Sequence, residues 1–197
     1  MTATNPFFDI SLLPYQAPHF DEINDSHYRP AFDEALRQKR ADVDAIVSQT
    51  AAPDFTNTVL ALEKSGALLS RVSSVFFAMT SAHTNAYLQE LEEQFSTELA
   101  ALANDIWLND TLFARVESVW QDRAALDAES RRLVEETYQQ FILAGARLNE
   151  TEKAELKALN TEAATLTSQF NQRLLAADKT GGLVVDYAHQ LDGLSAS

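Results

Sequence analysis

The stretch from Asn149 to Ala177 constrains the fold more than any other part of the sequence. Its apolar residues are spaced by three and four positions, which predicts one stripe along an α-helix. These residues are Leu156, Leu159, Ala163, Leu166, Phe170, Leu174 and Ala177. A helix of this span would be about 40 Å long. Because that is longer than a small domain is wide, shorter helices are expected to pack along this helix.

Capping residues and breaks predict the helix boundaries. Asn149 and Glu152 form a capping-box pattern at the start of the long helix, and Gly181 and Gly182 follow its end. A first helix is expected from about Tyr28 to Ser48, with Pro30 in its first turn. The other expected helices are a short one capped by Thr56 and running through Lys64, a third from Ala67 to about His83, and three capped by Asn85, Asn109 and Asp127. Gly145 is expected to mark the end of the sixth helix or a close helix contact.

The sequence thus predicts an all-α fold, an antiparallel helical bundle of about six to seven helices. Residues 1–27 are expected to form an extended arm packed on the body, since Pro6, Pro14 and Pro18 interrupt any helix and apolar residues lie between them. Residues 28–180 would be the helical domain. Residues 181–197 would be a connector, with a short extended segment near 182–186. Its last residues resemble the start of a helix that is missing, so a fragment boundary is expected there.

Composition excludes several classes of function. The chain has no cysteine, which rules out disulfides, Cys-ligated metal sites and a Cys nucleophile. Its net charge of −14 disfavours nucleic-acid binding. The basic run Arg37–Arg40 is flanked by acidic residues and is interpreted as a solvated helix face. With no signal peptide and no apolar run of membrane-spanning length, the sequence predicts a cytoplasmic location away from membranes.

No residue of this chain is assigned a catalytic, cofactor-binding or metal-binding role. The four histidines, His19, His27, His83 and His189, lack the spacing that a zinc site requires. The carboxylate pairs Glu92-Glu93 and Glu135-Glu136 occupy adjacent positions, which point in different directions on a helix, and are interpreted as solubilising charges. The sequons at Asn24, Asn109 and Asn149 are interpreted as helix caps or turns. Phe77 lies off its helix's main stripe and is a candidate for a surface contact.

Four runs of residues resemble one known family. They are residues 27–34 (HYRPAFDE), 55–66 (FTNTVLALEKSG), 71–80 (RVSSVFFAMT) and 159–173 (LNTEAATLTSQFNQR). These runs are similar to the N-terminal region of bacterial peptidyl-dipeptidases (dipeptidyl carboxypeptidases), within the thimet oligopeptidase-like (M3) zinc peptidases. The resemblance covers Asn5 to Gly193, and the last run is the most specific.

The resemblance implies a mostly helical, two-lobed enzyme with a deep, narrow channel. The family binds zinc through a His-Glu-x-x-His helix and a further Glu, and the motif Glu is the general base. Those residues lie in the C-terminal part of a chain several times longer than this one. The motif is absent here, so no zinc is expected to bind this chain.

Two hypotheses follow. In the first, the chain is the N-terminal domain of a peptidase that releases C-terminal dipeptides from short peptides. It would form one wall of the channel, pack on the C-terminal catalytic region of the same protein and be inactive alone. In the second, it is a free-standing helical protein-binding module. The first predicts apolar surface left exposed on this chain, and the second predicts no large apolar face left over.

Overall fold

The computed structural model describes residues 5–181, 185–187 and 192, and this part of the chain is helical with no β-strand. The predicted all-α class is confirmed. The expected extended segment at 182–186 lies largely outside the described residues. The seven α-helices seen are α1 (Asp25–Val47), α2 (Ala61–Lys64), α3 (Ala67–Ala82), α4 (Ala86–Trp107), α5 (Asp110–Gln121), α6 (Ala128–Leu143) and α7 (Glu150–Thr180).

Side-chain caps begin most of these helices. The predicted caps Asn85, Asn109, Asp127 and Asn149 each accept a backbone N–H from the first turn that follows. Asn24 does the same for α1. All three sequon asparagines are therefore helix caps, because a capping side chain satisfies a backbone donor that the helix leaves unpaired.

Two predicted helix starts are wrong. α1 begins at Asp25 and not near Tyr28, since Asn24 and His27 form a reciprocal capping box three residues earlier. Pro30 consequently lies inside the helix, beyond its first turn. The second helical segment is capped by Asp54 and not by Thr56, and it opens with a π-helical stretch, Phe55–Leu60.

Two aromatic clusters form the core. In the first, the Phe95 ring of α4 stacks on Phe32 of α1 at a centroid distance of 3.8 Å and contacts Phe76 of α3 at 4.7 Å. In the second, rings from α4, α5 and α6 meet around the buried Phe141, which lies 4.9 Å from Trp107. Because α4 contributes to both clusters and also carries α7, it is the central helix of the fold.

The N-terminal segment touches the body at its beginning. The Asn5 side chain donates to the His27 carbonyl at 2.8 Å, and Phe7 is buried against the Tyr28 ring. The apolar side chains that follow are exposed: Phe8, Ile10, Leu12, Leu13, Tyr15 and Phe20. The assignment of residues 1–27 as a separate arm stays a prediction.

Gly145 combines both of its predicted roles. It adopts φ 97°, a left-handed conformation that glycine alone tolerates well, directly after α6. A Cβ there would lie 2.8 Å from Leu148 and 2.9 Å from Leu156 of α7. The glycine therefore lets the chain turn sharply and brings the start of α7 against the end of α6.

Replacing the α7 cap with alanine is expected to destabilise the chain by about 1 kcal/mol. Asn149 accepts from the Glu152 backbone, and the Glu152 carboxylate accepts from the Asn149 backbone, both at 3.0 Å. Asn149→Ala removes the first of these bonds. Urea unfolding followed by circular dichroism measures the loss. Asn171→Ala is the matched control in the exposed middle of α7, where alanine's helix propensity should leave stability unchanged or slightly higher.

Candidate functional site

The described histidines serve local backbone geometry. The His27 ring accepts from the Asn24 backbone N–H at 3.2 Å, at the entry to α1. His83 is the exposed residue that ends α3. His19 accepts two backbone N–H bonds through its carbonyl in the turn before α1, and His189 lies outside the described residues.

Acidic side chains of α4 do more than solubilise the protein. Glu92 and Glu93 point to different helices as predicted, but both are half-buried. Glu93 accepts from Gln169 of α7 at 3.2 Å, and Glu92 accepts from Thr80 of α3 at 3.4 Å. Burial raises the pKa of Glu92 above its ordinary value. Their interpretation as solubilising charges is therefore wrong, because each one binds a neighbouring helix.

The basic run on α1 is only partly solvated. Arg37 pairs with Glu34 on the surface at 2.7 Å, as a solvated face would. Lys39 is instead half-buried, and its ammonium donates to the Ser65 hydroxyl at 2.5 Å and to the Ser65 carbonyl at 3.3 Å. Desolvation lowers the pKa of Lys39. The two hydrogen bonds of Lys39 hold the turn between α2 and α3 against α1.

Four large apolar side chains of α7 face away from the body. The exposed fractions are 62 % for Leu159, 56 % for Leu166, 64 % for Phe170 and 52 % for Leu174. We call these four residues the outward stripe. The shorter helix α4 does pack along α7, as expected, but it packs on the opposite face and leaves this stripe uncovered within the described part of the chain.

The opposite face of α7 packs on α4, and this face is mostly polar. Its residues follow one another at steps of four and three, the spacing of a coiled-coil seam. We call this set the polar seam: Thr161, Thr165, Ser168, Gln172 and Leu175, all half-buried or buried. Burial of the two threonines is tolerated because their hydroxyls donate to carbonyls one turn earlier in α7, at 2.9 Å and 3.2 Å. The buried Ser168 hydroxyl has no such partner.

Hydrogen bonds between side chains of α7 and α4 fix this orientation. Asn160 donates to the Asn104 side chain at 2.7 Å, and Gln172 donates to the Gln89 carbonyl at 2.9 Å. Near the start of α7, the buried ammonium of Lys153 pairs with Asp110 of α5. Rotating the helix to bury the outward stripe would break these bonds and leave the Asn104 side chain buried without its partner, at a cost of about 1 to 3 kcal/mol.

Phe77 is not the surface aromatic that the sequence suggested. It is half-buried against the core, with its ring edge-on to Phe76 at 5.2 Å. Phe170 holds that position instead. An exposed row of large apolar side chains on a rigid helix can bind another protein surface by burial from water. This stripe is the candidate functional site.

The sequence is similar to known peptidases, although no family model matches it. It is 69 % identical over 195 residues to dipeptidyl carboxypeptidase of Salmonella typhimurium, covering 98 % of this chain and 29 % of the relative. It is 66 % identical over 197 residues to dipeptidyl carboxypeptidase of Escherichia coli, covering 99 % of this chain and 29 % of the relative. Oligopeptidase A of Escherichia coli is 26 % identical over 199 residues, with 98 % and 28 % covered.

These relatives confirm the resemblance to bacterial peptidyl-dipeptidases. The similarity extends over nearly all of this chain, yet the chain spans less than a third of the length of the relatives.

Proposed function

We propose that this chain, a relative of bacterial dipeptidyl carboxypeptidases, is the N-terminal helical domain of a longer cytoplasmic peptidase that releases C-terminal dipeptides from short peptides. The observation that carries the proposal is 69 % identity along 98 % of the chain to a relative of which it makes up only 29 %. A helical body of this kind would contribute one wall of the substrate channel. Residues 181–197 would connect it to the C-terminal catalytic region.

The zinc that the family implies does not fit this chain. Among residues 5–181, 185–187 and 192, no three His, Asp or Glu side chains are placed to hold a metal ion, and the sequence has no cysteine. In the proposal, zinc and the residues that activate water belong to the remainder of the protein. This domain then acts by shape, and by itself it is inactive.

The exposed outward stripe supports this proposal over a free-standing binding module. A module that is complete in itself is expected to cover large apolar side chains, because their exposure promotes aggregation. A domain taken from a larger protein is expected to expose the surface that meets its neighbour. Within the described residues, no helix qualifies as a candidate membrane-spanning segment.

The experiment compares the 197-residue chain with the full-length protein that carries this sequence. Each is incubated with an N-acetylated tetrapeptide, and released dipeptide is measured by mass spectrometry. We expect release by the full-length protein, loss of activity with a chelator and recovery with zinc, and no release by the chain alone. Chelator-sensitive release by the purified chain alone, or none by the full-length protein, would contradict the proposal.

A further inference from the structure

We propose that the outward stripe of α7 is the surface on which the remainder of the same protein packs. The inference rests on the proposed function above, and it adds the place of contact. Its residues, Leu159, Leu166, Phe170 and Leu174, span about 22 Å along the helix.

Geometry makes the stripe a fixed surface. The polar seam holds the other side of α7 on α4, and the hydrogen bonds from Asn160, Gln169 and Gln172 define the rotation of the helix. A partner therefore meets a row of side chains whose direction is already set by the helix. Such pre-organisation favours binding.

The pattern is the reverse of that on an ordinary surface helix. Surface helices place their apolar stripe inward and their polar face toward water. Here the inward face of α7 is mostly polar and the outward face carries Leu and Phe more than half exposed. An arrangement of this kind places α7 between two layers, with α4 on one side and the missing layer on the other.

The length of the relatives identifies the occupant. The matched segment makes up 29 % of each dipeptidyl carboxypeptidase, so a further region more than twice as long as this chain is present in those proteins. In one polypeptide, that region would meet α7 at the high effective concentration that covalent linkage provides. Docking within the chain then needs no tight intermolecular affinity.

A second copy of this chain is a poorer occupant. Each copy carries a net charge of −14, and bringing two such chains together is opposed by electrostatic repulsion. Glu155 and Glu162 are exposed along one flank of the stripe together with a single cation, Arg173, so this flank keeps a net negative charge that a second α7 would repeat. A region with neutral or basic residues around an apolar groove matches this flank better.

Hydroxyl-radical footprinting with mass spectrometry tests the inference, because oxidation of Phe and Leu follows their exposed area. The 197-residue chain and the full-length protein are labelled side by side. In the full-length protein we expect Phe170 and Leu166 to be oxidised at no more than about one fifth of their rate in the 197-residue chain, since interface cores are packed as closely as protein interiors. Tyr87, exposed on α4, is the internal reference for dose.

Matched variants show whether protection depends on the stripe. Leu166→Gln with Phe170→Gln replaces two stripe residues by a good helix former. Ala158→Gln with Thr167→Gln introduces the same residue at two exposed positions of α7 outside the stripe. Both double variants should leave the 197-residue chain folded. In the full-length protein, the first should lower the melting temperature by several degrees more than the second.

Each outcome of the footprinting experiment supports or overturns the docking site. Equal oxidation of Phe170 in both proteins would overturn the docking site, even if the full-length protein cleaves dipeptides as proposed. Protection already present in the 197-residue chain and lost on dilution would assign the stripe to a second copy, and would also overturn the inference. A full-length protein without dipeptide release would contradict the proposed function, while protection of Phe170 in it would still support the contact.

Discussion

Phe95→Ala is expected to lower the free energy of unfolding by about 4 kcal/mol, since truncating a fully buried phenylalanine removes its burial and leaves a cavity. Phe95 is fully buried, and its ring lies between Phe32 and Phe76. The loss also ends a stacked contact with Phe32, whose ring planes differ by only 7°. Urea unfolding measures the effect, and we expect the midpoint to fall while the m-value stays unchanged.

Phe170→Ala is the matched control, because it makes the same substitution in another long helix. With Phe170 64 % exposed, the expected change in unfolding free energy is within about 0.5 kcal/mol. A cost similar to that of Phe95→Ala would mean that Phe170 is buried in the isolated chain. The description of the outward stripe as exposed would then be wrong.

Arg115→Met is expected to destabilise the chain by about 3 kcal/mol, since a buried cation with several charge-assisted bonds is removed and its acceptors lose their partner. The buried Arg115 of α5 donates to the Gln49 carbonyl at 3.1 Å, the Ala51 carbonyl at 3.3 Å and the Asn57 side chain at 3.0 Å. Methionine preserves much of the length and volume. Chemical denaturation measures the change.

Arg132→Met is the control for Arg115→Met, because it removes an arginine charge from the protein surface. Arg132 pairs with Glu136 at 2.7 Å on the exposed face of α6. Exposed ion pairs of this kind contribute only about 0 to 1 kcal/mol. If both arginine variants lost the same amount of stability, the three bonds of Arg115 would not be the source of its contribution.

Helix positions were largely predictable from the sequence because capping and spacing are local. Asn85, Asn109, Asp127 and Asn149 each begin a helix as predicted, since a short polar side chain followed by an apolar period marks a helix start. Where the prediction failed, another cap was nearby. Asp54 lies two residues before Thr56 and makes the cap instead.

The orientation of α7 was not predictable from periodicity alone. Two stripes with similar spacing run along this helix, an apolar one through Leu166 and Phe170 and a polar one through Ser168 and Gln172. The hydrophobic effect favours burial of the first, which is correct only if the partner of that stripe is present. The regular four-three spacing of the polar seam indicated the face that packs on α4. The prediction missed this face because its residues are mostly polar.

The buried polar contacts also escaped prediction. Lys39, Glu93 and Arg115 look like surface residues by composition, but each reaches a partner distant in sequence. The family resemblance identified a relative without locating these contacts. Only the structure shows which face of the described residues is left uncovered.

Reading the source gene past codon 197 tests most directly whether this chain is one domain of a longer peptidase. We expect an open reading frame that continues for several hundred codons and contains His-Glu-x-x-His. A stop codon directly after Ser197 would contradict it.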